Sequence, residues 1–577
     1  MIRSNHFLAV TMMVVSLLLA GQTHAVPAHP AAVKVRQPDG TTITVRLHGD
    51  EYQHYNTTAD GYTILKNPEG YYVYATLADG RLQPTPWIAH DPAERADDEQ
   101  TFLRGVSRYT RPDRKSLPGP AGIEGLRRAA PSHTSYNTEN FRGLVILVEF
   151  NDKSFSRKNF ETTASNMLNK EKYKGILPDN LMAGSVRDYF SDMSDGQFKP
   201  QFDVVGPVKL PYSQYDAHQF DNAWKLMAAA LDSIDRQVDF RLYDGDGDQV
   251  VDLVYFIFAG NGSNYSGNDE RLIWPHASSI YTIDDKGQYQ WVRKDGVRLN
   301  DYACSVELYG WTQYPSTIKI DGIATIVHEF SHVLGLPDFY DADGEESGGE
   351  SRTPGGWDVM ANGCYDTPVA YTLFERWFMR WADPERIDSA GTYTLDKLTK
   401  NVGYRIDSAH KNEFFLLENR QSDDKWNADL PGHGMMVYRI DLSNQGAWLG
   451  NDVNSDPSHS FYELVRANPD SLSDSGSDPF PGRSRITRLT NHTSPANLRS
   501  WSGLETPLVL VNIREDKGLI TFDVVDADSE VGVRAPLADP QSAPPAIFTP
   551  DGRQVPAMSR PGLYILRQGT TTRKVWK

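Results

Sequence analysis

Cysteine is nearly missing from this chain: 577 residues contain two, Cys304 and Cys364. That excludes a disulfide-stapled scaffold and a thiolate-rich metal cluster. It also counts against a cysteine nucleophile, since neither residue sits in a local nucleophile motif. In an exported protein the pair forms one bridge, or else two small buried residues. Positive charge is short as well. Lys and Arg number 58 against 76 Asp and Glu, a formal net charge of −18. An acidic balance speaks against nucleic acids and anionic membranes as partners, because both need basic surfaces. Past the first 25 residues there is no long apolar run, hence no further membrane segment, and no internal repeat of fixed period.

What is present at the start reads as an export signal over 1–25: Arg3, an apolar run from Phe7 to Ala20, then Thr23-His24-Ala25, which offers small residues at the positions a signal peptidase reads. The run falls short of the roughly 20 residues of a membrane span. The expected product is a soluble protein, secreted or at the cell surface, and monomeric. With 39% hydrophobic and 11% aromatic residues it is globular, and its length calls for several domains.

Ile43, Val45 and Leu47 alternate in T-I-T-V-R-L, and turns follow at Pro38-Asp39-Gly40, Ala59-Asp60-Gly61 and Pro68-Glu69-Gly70. A β-rich domain is expected over 26–108. Residues 109–138 gather Pro, Gly, Ser and basic side chains, the composition of a linker. It is either a plain spacer or a segment cut on activation.

Leu144 to Phe150 is a continuous apolar run, the mark of a buried strand, and Val251 to Phe258 is another. Ser185 to Phe190 and 221–236 read as helices. Mixed helix and strand make 139–390 an α/β or α+β domain, and the recurring short strands of 391–526 an all-β module. A tail, 527–577, completes a multidomain chain.

The eleven residues from His328 to Asp338, H-E-F-S-H-V-L-G-L-P-D, carry the most chemistry. Histidines four apart share one helix face, so both imidazoles reach one ion. Glu329 beside them can take a proton from water. The helix is expected to start at an Asp321 N-cap and stop at Gly335, whose turn returns Asp338 as a third ligand. This is the outline of a zinc site with one open position. If Asp338 is only a turn residue, Glu375, on a later helix, takes its place.

Downstream, Gly355-Gly356-Trp357-Asp358-Val359-Met360 puts a methionine in a tight turn, similar to the Met-turn of metzincins, or else plain core. Tyr365 follows closely and can donate to an oxyanion, or simply packs. Asp244, Asp246, Asp248 and Asp252 alternate on a Gly-rich loop. They are candidate calcium ligands; the alternative is an ordinary acidic turn, for the Glu at position twelve of an EF-hand loop is missing.

Together these motifs resemble the immune inhibitor A family of secreted zinc metalloproteases. The likeness extends over about 140–525, through Gly184 to Phe190, Val205-Gly206-Pro207-Val208, Tyr243 to Asp252, Ile273-Trp274-Pro275-His276, His328 to Tyr340, Gly355 to Met360 and Leu430 to Gly434. It implies a zincin- or metzincin-like catalytic domain and a zinc endopeptidase acting on proteins or peptides and made as a zymogen. His328, His332 and Asp338 are then the zinc ligands, Glu329 the base and Met360 the Met-turn residue. The N-terminal β domain resembles a pro-region. No cysteine precedes Cys304 to block the zinc, so an acid such as Asp50 or Asp60 is the expected cover. The competing expectation is a non-catalytic surface binding or adhesion protein with a vestigial zinc site.

Overall fold

The structure is a computed structural model. It describes residues 32–49, 54–112, 141–530 and 546–576, with short gaps at 79, 177–179, 218, 265–270, 284–288, 300, 311, 313–314, 343–350, 366, 469–473, 551–552, 556–557, 559–561 and 569–570. The export signal, Asp50 and most of the expected linker lie outside the described residues.

Alternation in T-I-T-V-R-L becomes strand Thr42–Gly49, second in a six-stranded antiparallel meander that ends at Arg81–Ile88. Ile43, Val45 and Leu47 are all buried, as a period of two requires. Asp60 does not serve as a cover over distant ligands. Its carboxylate is taken by Arg95 in a two-pronged ion pair, at 2.7 and 2.6 Å, inside this same sheet domain. Leu47 reaches beyond the sheet and packs on Trp274.

The central sheet runs in the order Gln201–Lys209, Arg142–Glu149, Val254–Asn261, Asp301–Tyr309, His276–Ser279, with Lys319–Ile320 also paired to Asp301–Tyr309. Its first four strands are parallel, and His276–Ser279 closes the edge antiparallel. Both faces are covered, which is why the inner stretches Leu144 to Val148 and Val254 to Ala259 read as unbroken apolar runs. Leu144, Ile146 and Val148 pack with helix Gln219–Ile234; Val145 and Leu147 turn to the opposite core, which contains helix Ala324–Val333. The helix expected at Ser185 is Val186–Met193, with Ser185 and Asp188 forming a reciprocal capping box.

A five-stranded sheet, from Glu385–Arg386 through Tyr404–Asp407, Glu413–Arg420 and Gly434–Asp441 to Tyr462–Leu464, follows in sequence. Phe415, Leu417, Met435 and Val437 face a second, three-stranded sheet in a core of their own. Phe414, Leu416, Met436 and Tyr438 share the core of the histidine helix. The hydrophobic core therefore continues across residue 390 without a break. Cys304 and Cys364 are buried and unbridged, so the second expectation for them applies.

Candidate functional site

Helix Ala324–Val333 is almost wholly buried, and Phe330 anchors it among Phe141, Phe190 and Phe202. It begins two residues later than expected. Ile323 occupies the N-cap without a side-chain bond, and Asp321 instead accepts the Gly322 N–H at 2.9 Å. At the other end Gly335 adopts φ 102°, a conformation open to glycine. Its turn brings the Leu336 carbonyl under His332, whose Nδ1 donates to it at 2.8 Å. His328 Nδ1 donates to the Val359 carbonyl at 2.8 Å. Carbonyls only accept, so both Nδ1 atoms carry the proton and both Nε2 atoms are left as acceptors.

Those Nε2 atoms lie 3.1 Å apart. Asp338 Oδ1 completes a triangle, 3.1 Å from His328 and 3.3 Å from His332. Three electron-rich atoms so close repel unless a cation sits among them. Ligands about 2.0–2.1 Å from one ion at the tetrahedral angle are roughly 3.3 Å from each other, so the triangle fits zinc. The donor set, two imidazoles and a carboxylate, suits that ion. Asp338 Oδ1 has no hydrogen-bond partner although it is buried, as a ligand atom would require. Burial opposes ionisation of the Asp338 carboxyl, but positive charge at this spot, carried by the imidazoles when no ion is bound, holds it below the usual range. Burial depresses His328. Of the three side chains only His332 touches solvent, at 12% exposure, which marks the side from which the centre is reached.

Glu329 is fully buried, and neither carboxylate oxygen has a partner. Burial, then the charge of Asp338, raises its carboxyl well above the ordinary value. Burial, more than any neighbouring charge, pushes the Cys364 thiol up, and its Sγ lies 3.4 Å from the Ala361 carbonyl. Met360 is buried in the expected turn; its carbonyl accepts from the Phe339 N–H at 2.7 Å, tying that turn to the Asp338 loop. Tyr365 lies on the two-residue strand Cys364–Tyr365, and its side chain is outside those described.

Glu375 is not part of the triangle. It occupies the third position of helix Leu373–Phe378, in a capping box with Thr372. The sequence T-L-F-E carries that signature. Asp244, Asp246 and Asp248 converge within ligand reach of one another. Asp252 is outside that group and accepts the Gly245 N–H at 2.9 Å, closing the loop. Its carboxyl is pushed up to about 7, chiefly by burial and then by the charges of Asp246, Asp244 and Asp248.

Sequence reasoning missed the partners that come from afar. Asn451 bonds Asp338 twice: its Nδ2 donates to Oδ2 at 2.7 Å and its Oδ1 accepts the Asp338 N–H at 2.6 Å. Arg420 donates to the Trp357 carbonyl at 3.2 Å, and Asp474 and Asp478 accept from Gly356 N and Trp357 Nε1. No spacing rule links such distant positions. Cys304 Sγ also lies 3.3 Å from His276 Nδ1. Both are buried, and that nitrogen bonds the Trp274 carbonyl at 2.7 Å, so this pair is core rather than a second centre.

Residues 132–377 match a family of catalytic domains described as immune inhibitor A peptidase M6. A curated relative, "Immune inhibitor A" of Bacillus thuringiensis subsp. alesti, is 25% identical over 340 residues, which is 50% of this chain and 47% of that protein. The chain thus spans about half the length of the curated relative it matches. The similarity sketched from the motifs is borne out. Among the described residues no helix is long and apolar enough to cross a membrane.

Proposed function

We propose that this protein, whose residues 132–377 match the immune inhibitor A peptidase M6 catalytic domain, is an exported, zinc-dependent endopeptidase that cleaves proteins or peptides and is made as a zymogen. The observation that carries the reading is the triangle of His328 Nε2, His332 Nε2 and Asp338 Oδ1, with sides of 3.1 to 3.3 Å around one point. These three residues hold the metal, in an α/β, metzincin-like catalytic domain over 139–390. Zinc with three protein ligands and an open position lowers the pKa of water to about 7 and polarises a carbonyl.

The chain's own groups do the rest. Glu329 is fixed on the helix beside His328, with both oxygens free of protein partners. It takes the proton of the attacking water and hands it to the leaving amine. Tyr365 donates a hydrogen bond to the developing oxyanion. Met360 floors the histidines from its turn. Asp244, Asp246 and Asp248 bind a structural calcium, with Asp252 bracing the loop. The N-terminal sheet is a pro-domain, seated through Leu47 on Trp274 just before the edge strand His276–Ser279, and activation cuts the chain within 109–138. The product is a secreted or cell-surface monomer.

Casein hydrolysis by processed wild type and Glu329→Gln tests the assignment. Activity is expected to fall by about 10²–10⁴ while zinc is retained. Equal rates, or no hydrolysis by wild type, would favour a binding protein with a vestigial site.

A further inference from the structure

The segment Gly450 to Asn454, G-N-D-V-N, lies far from the histidine helix in sequence, beyond the 132–377 match. It links strand Gly434–Asp441, by way of the short helix Gln445–Leu449, to strand Tyr462–Leu464. Asn451 sits there at φ 61°, a left-handed conformation that asparagine tolerates better than most residues. That backbone aims its amide at Asp338, 113 residues earlier.

The two hydrogen bonds admit one orientation only. The Asp338 N–H needs an acceptor, which is Oδ1 of the amide; the Asp338 carboxylate needs a donor, which is Nδ2. Main chain and side chain of the ligand are pinned by one residue. With Oδ2 committed to Asn451, Oδ1 is left turned toward the imidazoles. Asn454 extends the clasp: its Nδ2 donates to the Phe339 carbonyl at 2.8 Å, and its Oδ1 accepts the Tyr462 N–H at 3.2 Å. The ligand loop is thereby fastened to the five-stranded sheet at two consecutive residues.

We infer that Asn451 is a positioning residue for the third metal ligand, so that a segment outside the peptidase match sets how tightly the centre holds its ion. Supporting partners of ligating side chains fix orientation in this way, and losing one costs about 10–100-fold in metal affinity. The inference rests on the metal-site reading above, and the experiment separates the two.

Zinc affinity is measured by chelator competition on the full chain for wild type, Asn451→Gly and Asn451→Ser. Glycine keeps the left-handed backbone at no steric cost, and a serine hydroxyl is too short to bond both Asp338 atoms. Visible spectra of the cobalt-loaded proteins and near-UV circular dichroism of the zinc-free ones accompany the titrations. Zinc binding is expected to weaken about 10–100-fold in both variants, with an altered cobalt spectrum and unchanged dichroism. Wild-type affinity and spectrum in both variants would overturn the inference and leave the metal site standing. Loss of the folded dichroism in both would overturn it too, since the clasp would then hold the fold and not a ligand. Failure of wild type to bind either ion would overturn the proposed function itself, and the inference with it.

Discussion

Asp338 Oδ1 lies 3.1 Å from His328 Nε2, and both side chains are fully buried. The His328 ring spends its Nδ1 proton on Val359, so nothing within the pair neutralises the facing lone pairs. A cation does. Asp338→Asn keeps the shape and removes the charge. Its zinc affinity should fall by more than the roughly 10–100-fold that loss of a supporting partner costs. Glu375→Gln should retain zinc, because Glu375 is committed to its own helix cap. Metal titration of both variants checks the choice of third ligand; zinc loss in Glu375→Gln alone would reverse it.

How much of this was legible beforehand follows from distance along the chain. His328, Glu329 and His332 share one helix, and Gly335 turns Asp338 back within three residues, so local rules suffice. Alternation likewise foretold which face Ile43, Val45 and Leu47 would bury. The start of the helix at Ala324 was not foreseen, because Asp321 looks like a cap and spends its carboxylate on Gly322 instead. Asp252 alternates with Asp244, Asp246 and Asp248 in sequence, but the loop folds it back onto Gly245. Asn451, Arg420, Asp474 and Asp478 act across the chain, and a polar residue in a later loop carries no mark of its partner. Core shared across residue 390 escaped notice for a related reason. Glu413–Arg420 is apolar on two faces, and a sequence cannot say which neighbour covers each.

Leu47 and Trp274 form the hydrophobic contact between the N-terminal sheet and the segment leading into the central edge strand. Leu47→Asp would place a charge against the indole, which is unfavourable without a partner. Casein hydrolysis by the uncut chain should rise several-fold relative to uncut wild type. Unchanged activity would remove this contact from the account of latency.

Arg420 and Glu418 are an ion pair at 2.7 Å with no exposure on either side. Arg420 also donates to the carbonyls of Ala370 and Trp357. Arg420→Met strands the Glu418 charge in the interior and should cost about 3–5 kcal/mol. Adding Glu418→Gln should recover part of that loss. Denaturant unfolding of the three proteins measures it; a loss under about 1 kcal/mol for Arg420→Met would show the pair to be dispensable.

His276 is buried, with Nδ1 on the Trp274 carbonyl and Nε2 at 2.6 Å from the Tyr302 hydroxyl. Burial lowers its pKa to about 4 from an ordinary 6.5. An imidazole depressed in the fold binds its proton in the unfolded chain first. Its contribution is therefore complete above pH 6.5 and is lost as pH falls toward 4, by up to about 3 kcal/mol. His276→Gln should flatten this part of the stability profile, read as the difference from wild type between pH 7 and pH 4. A profile unchanged by the substitution would show that His276 does not control it.

Zinc stoichiometry of the processed protein tests the central claim most directly. Elemental analysis after chelation and reconstitution should find one zinc per chain in wild type and in Glu329→Gln, and none in the His328→Ala, His332→Ala double variant. A wild-type chain that holds no transition metal and takes none up would contradict the account.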